Sequence, residues 1–133
     1  MAAADSLPIE WLERARDAVN ADKLFRKRGS VDTEMGLKVG DATYLVSFSG
    51  FSCHGVRAIA QSDVRDADFV VEMSPDLWQR YVAGRRAGTG RTLAEIDATE
   101  GVVKAINPRK KLDFYRYHTS LQAYFDAGAR AAA

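Results

Sequence analysis

Two histidines, one cysteine and five tyrosines are the side chains here best suited to moving a proton or attacking an electrophile. Cys53 and His54 are neighbours between Gly50 and Gly55, and a thiol beside an imidazole is the pairing that activates a cysteine nucleophile. Adjacent residues in an extended segment point to opposite sides, so these two would not face each other. A surface loop is expected for both, with His54 able to supply a polar contact or an acid/base group. His118 follows Asp113 on one predicted helix at roughly 140° around the axis, so the two do not form a dyad. His118 could instead pair with a carboxylate from another element and act as general acid or base, with Tyr115 or Tyr117 as proton donor. The histidines show neither HxxxH nor HxxE spacing. With a lone cysteine they offer no transition-metal ligand set, and no metal or other cofactor is expected.

Aromatic residues form the next chemical feature. Phe114, Tyr117, Leu121, Tyr124 and Phe125 make a broad stripe at helical spacing, beside a narrower one of Leu112, Tyr115 and Thr119. Such a stripe packs first against a sheet. It also has the ring area and hydroxyl tips that suit the wall of a small-molecule pocket. Trp78 and Tyr81 have the same two uses. The candidate ligand wall is therefore Trp78, Tyr81, Phe114, Tyr117 and Leu121. Arg85-Arg86 with Gly88, Gly90 and Arg91 could hold a phosphate or carboxylate. Their glycines match no phosphate-loop or dinucleotide pattern, so a solvated loop is expected. Arg109-Lys110-Lys111 open a helix, where cations oppose the dipole. These two basic stretches are where an anionic ligand or a transient membrane contact would be sought.

The elements that must position these residues follow from periodicity. Ser6 caps and Pro8 opens a first helix whose apolar face is Trp11, Leu12, Ala15, Ala18 and Val19. Leu24 and Phe25 anchor a short basic turn. The period then falls to two: Val31, Thr33, Met35, Leu37 and Val39 alternate with Asp32, Glu34, Gly36 and Lys38, a half-buried strand. Gly40-Asp41 turns the chain into a returning strand, Thr43 to Ser49, with Tyr44, Val46 and Phe48 on one face. Residues 55–61 read as a third strand, and Phe69, Val71 and Met73 mark a fourth. Ser74-Pro75 starts a helix with Gly84 as its expected C-cap. Thr92 and Glu95 have capping-box spacing. Val102 to Ile106 reads as a fifth strand, and Asn107-Pro108 starts a last helix to about Ala127. This is an α+β pattern with a mainly antiparallel sheet covered by helices.

Composition narrows the function. The chain has 133 residues, with 19 Lys+Arg against 18 Asp+Glu and a net charge of +1. Neither half carries the basic excess of a general nucleic-acid binder, and no nucleic-acid partner is expected. One cysteine cannot form an internal disulfide, which favours a reducing compartment. The first residues lack a signal peptide's basic and apolar regions, and no window approaches the ~20 apolar residues that span a bilayer. A cytoplasmic location is the expectation.

Two stretches carry a resemblance to a known family. Ala67-Asp68-Phe69-Val70-Val71-Glu72-Met73-Ser74, then Asp76-Leu77-Trp78 and a helix to Gly84, resembles the sterol carrier protein type-2 domain. Gly101-Val102-Val103-Lys104-Ala105-Ile106 resembles the family's Gly-led strand. The resemblance covers roughly residues 7–127. It departs at Asn107-Pro108, where the family usually has Gly and a polar residue, and in the aromatic richness of the final helix. It implies one domain: a five-stranded sheet with helices on one side, enclosing an apolar cavity. The family shares no catalytic residues, so none is carried over. The expected function is binding or transfer of a hydrophobic or amphipathic small molecule, such as a lipid, fatty acyl group or sterol-like compound. The alternative is a small cofactor-independent lyase, isomerase or hydrolase in the same cavity, using His54 or His118. A second alternative is a homodimerisation or partner-binding module with the aromatic stripe as its interface.

Overall fold

Alternation decides which side of the sheet each residue meets. The computed structural model describes residues 8–131, so the expected Ser6 cap lies outside the described residues. Helix α1 is Ile9–Asn20 and the short α2 is Lys23–Lys27. Strands β1 (Thr33–Val39), β2 (Ala42–Ser49) and β3 (Ser52–Ala58) follow, then a 3-10 turn, Gln61–Asp66. Strand β4 (Phe69–Met73), helices α3 (Pro75–Ala87) and α4 (Leu93–Glu100), strand β5 (Val103–Lys104) and helix α5 (Pro108–Ala131) complete the order. The sheet runs β3-β2-β1-β4-β5. Three neighbouring pairs are antiparallel and β1 with β4 is parallel, so the sheet is open and mixed.

Met35, Leu37 and Val39 of β1, Tyr44, Val46 and Phe48 of β2, and Phe69, Val71 and Met73 of β4 are buried on the helix-covered face. Beneath α5 the rings interlock. Trp11 meets Trp78 edge-on at 5.0 Å, and Trp78 meets Phe125 at 5.9 Å. Tyr124 stands edge-on to Phe48 at 5.5 Å, and its hydroxyl donates to the Leu12 carbonyl at 2.9 Å. Edge-to-face pairs at such separations add attraction beyond the area they bury.

The opposite face is covered differently. The connection from β3 to β4 passes over β2 and β1, and Thr43 and Leu45 are buried on that side. Gly36 permits the close approach: a Cβ there would stand 3.0 Å from Val70 Cγ2 and 3.3 Å from Ala67 Cβ. Asp68 then pins the crossover to β1, accepting from the Thr33 hydroxyl at 2.8 Å and the Glu34 amide at 3.0 Å.

Several boundaries differ from the sequence reading. The third strand begins at Ser52, so Gly50 to Gly55 is mostly strand and not loop. Asn20 holds it, accepting from the Cys53 amide at 2.8 Å and donating to the Cys53 carbonyl at 3.0 Å. Helix α3 runs past Gly84 to a left-handed Gly88 with φ of 76°. Gly84 serves close packing instead, since a Cβ there would stand 2.8 Å from Gly90 Cα. Strand β5 keeps only Val103 and Lys104. Helix α5 continues to Ala131, with Ala127, Gly128 and Ala129 buried. The Thr92–Glu95 capping box forms as expected.

Candidate functional site

A groove of about 350 Å³ lies on the sheet's outer face. One wall is the crossover, through Val64 and Ala67; Val70 of β4 contributes to the floor, and Ala105 and Ile106 close the far side. Ile106 is 83% exposed. The rim is polar: Gln61, Lys38, Glu72 and Lys104. Lys38 Nζ stands 4.0 Å from Glu72 Oε2, and Lys104 Nζ stands 3.7 Å from Glu72 Oε1. Strand alternation places these three charges together with Val70, because β1, β4 and β5 pair Lys38 with Glu72 and Val70 with Lys104. An apolar slot with a few placed charges at its edge is the usual make-up of a small-molecule site, and its volume falls near the lower end of the ~300–1,000 Å³ typical range.

The residues expected to wall a ligand lie on the other side of the sheet or at its helical cover. Trp78, Phe114 and Leu121 are buried in the core. Phe114 stands edge-on to Phe69 at 5.7 Å. Tyr81 is buried, and its hydroxyl accepts from Gln122 Nε2 at 2.8 Å. Burial pushes the Tyr81 hydroxyl above its ordinary pKa. Tyr81 also borders a 280 Å³ hollow with Leu77, Gly90 and Ile96. Tyr117 is half-buried beneath the Arg116 guanidinium, 5.1 Å from its ring centre.

The acid/base candidates are dispersed. His54 is exposed on the edge strand β3, whereas His118 sits on α5 beside a 230 Å³ hollow that also meets Arg28, Ala94 and Asp126. The Tyr115 hydroxyl donates to Asp97, and that bond, with burial, pushes its pKa up to about 12. Tyr115 and His118 rings stand 6.5 Å apart, with the tyrosine's proton already committed to Asp97. Cys53 is buried rather than in a surface loop, and burial pushes its thiol up to about 12. That disfavours the thiolate a nucleophile needs.

The basic stretches are tied to carboxylates that sequence reasoning did not connect. Arg85 forms a two-pronged pair with Asp126, at 2.8 and 3.0 Å, and donates to the Gly90 carbonyl at 3.0 Å. Lys110 stands 3.3 Å from Asp68, and Lys111 stands 3.4 Å from the buried Asp97. The outer groove itself left a faint trace in the sequence. Gly36 and Val70 occupy positions where strand alternation otherwise sets polar residues outward.

Solved structures match this arrangement over nearly the whole chain. A crystal structure of sterol carrier protein 2 aligns with a TM-score of 0.62 at 17% identity, covering 91% of this chain and 94% of that one. The chain has a sterol carrier protein 2-like fold. The solution structure of a conserved hypothetical protein from Thermus thermophilus, put forward as a sterol carrier protein, aligns with a TM-score of 0.70 at 16% identity. That match covers 95% of this chain and 89% of the other. No family model matches the sequence, and no curated protein matches it. Among the described residues, no helix of this sterol-carrier-like fold is long and apolar enough to cross a membrane.

Proposed function

We propose that this protein binds an apolar or amphipathic small molecule, and that the ligand's apolar part lies in the groove between the crossover and β5. The observation that carries this reading is the groove itself, with apolar side chains from three separate segments facing a common slot. The sterol carrier protein 2-like fold supports the same ligand class. The rings beneath α5 are already partnered with one another, so a ligand there would have to part them. Parting close-packed rings forfeits their contacts, whereas the outer slot asks for no such rearrangement.

Substituting Ala105→Phe fills the slot from a half-buried position at its edge. Titration with 1-octanol, followed by amide chemical shifts, should move Val70, Lys104 and Ile106 in the natural protein. It should leave them still in the variant. Shifts confined to residues 114–125 in both proteins would place the ligand beneath α5 and reject the groove.

A further inference from the structure

We infer that the groove selects amphiphiles by headgroup charge, seating an anionic head against the ammonium groups of Lys38 and Lys104. This rests on the reading that an apolar chain occupies the slot, and it adds the chemistry of the slot's rim. Lys38, Glu72 and Lys104 belong to three adjacent strands and face the same side. The lysines meet different oxygens of Glu72, at 4.0 and 3.7 Å. Both separations are long for an ion pair, and an ammonium has three donors, so neither lysine is used up by Glu72.

The charged rim therefore holds two cations against one anion. A carboxylate or phosphate oxygen set against the two ammonium groups, beside the Glu72 carboxylate that they share, is attracted by two charges and repelled by one. A cationic head meets the reverse, and a neutral hydroxyl gains little from either. Lys38 is the better shielded lysine, its side chain 29% exposed against 62% for Lys104, so its attraction is screened less by salt. Immediately beside these charges lie Val70, Ala105 and Ile106. A head on the lysines thus leaves its chain pointing along apolar surface. Glu72 becomes a specificity residue: it holds the lysines together when the groove is empty and opposes the head when it is filled.

Calorimetric titration with octanoate, 1-octanol and acetate separates head from chain. Octanoate should bind about tenfold tighter than octanol, the effect of a charge-assisted contact over a neutral one, and acetate should give no measurable heat. Lys38→Met and Lys104→Met keep most of the methylene stem; each should weaken octanoate by roughly three- to tenfold relative to octanol. Glu72→Gln should tighten octanoate by roughly threefold, a sign that partial unfolding cannot produce. Raising the salt to about 0.5 M should narrow the octanoate–octanol gap. Equal affinities for octanoate and octanol, unchanged in the lysine and Glu72→Gln variants, would overturn charge selection and leave the apolar groove standing. Acetate binding as tightly as octanoate would show an adventitious anion site and overturn the proposal. Failure of both octanoate and octanol to bind would remove the groove reading first, and this inference with it.

Discussion

Asp97 shows how one carboxylate can join three elements. It is buried, yet it accepts from the Val103 amide at 2.8 Å and from the Tyr115 hydroxyl, with Lys111 Nζ 3.4 Å away. Burial alone would raise its pKa. The hydrogen bonds from Tyr115 and Val103, together with the Lys111 ammonium, outweigh that and hold the carboxyl below its ordinary value. A depressed folded pKa stabilises above the unfolded value, and this contribution is lost as pH falls through the folded one. Asp97→Asn should therefore cost about 1–3 kcal/mol at pH 7, as a charged hydrogen-bonding partner is lost. The gap should narrow as pH drops below about 4, the ordinary aspartate pKa, because the natural carboxyl is then being protonated too. Urea unfolding at pH 7 and at pH 3 checks this; a gap equal at both would contradict it. In the sequence, Lys111 sits at a helix start where a cation is disfavoured, and only the fold supplies the carboxylate that accounts for it. The same bond makes Tyr115 a strut between α4 and α5.

Local signals defined elements well wherever the deciding contacts were close in sequence. The β1–β2 hairpin, the Ser74-Pro75 start and the Thr92–Glu95 capping box all formed as their residues indicated. Ends set by distant partners were misplaced. Gly84 looked like a C-cap, but its lack of a side chain admits Gly90, and Gly88 takes the left-handed position. Helix α5 looked finished near Ala127 because its last turn is small and Ala-rich. Those small residues instead let α1 approach. A Cβ on Gly128 would lie 2.5 Å from Trp11 Cη2 and 2.8 Å from Ala15 Cβ. Gly128→Ala should thus destabilise by about 1–3 kcal/mol, the range for overfilling a packed core. Gly55→Ala, whose added Cβ meets nothing within 4 Å, should stay within about 0.5 kcal/mol. Chemical denaturation of the two variants decides the matter, and equal small losses would mean that the α1–α5 contact is loose.

The molecule as a whole is asymmetric across its sheet. Among the described residues, one face carries most of the helices and rings; the other carries the crossover, buried Thr43 and Leu45, and the groove with its rim of charges. Alternation in the strands made the two faces legible, and the apolar class of ligand was expected from the sequence. The β3-β2-β1-β4-β5 order was not legible, because the parallel β1–β4 pairing joins segments separated by the whole hairpin and crossover. That pairing brings Lys38 beside Glu72 and shapes the outer groove, whereas a helical stripe is a local pattern and marks only the ring-filled side. Amide hydrogen exchange distinguishes the two faces directly. Central strands β1, β2 and β4 should exchange slowest, since exchange there requires the largest openings, while β3 and β5 form the edges. A ligand that binds only the folded state adds stability by mass action, about 2.7 kcal/mol at a hundredfold excess over its Kd. For segments that open locally, added protection falls where the ligand sits. Octanoate should thus slow exchange in residues 61–67 and 103–106, with little local change along residues 114–125. The reverse distribution would move the site between sheet and helices, because a ligand there must hold the rings of α5 and not the crossover.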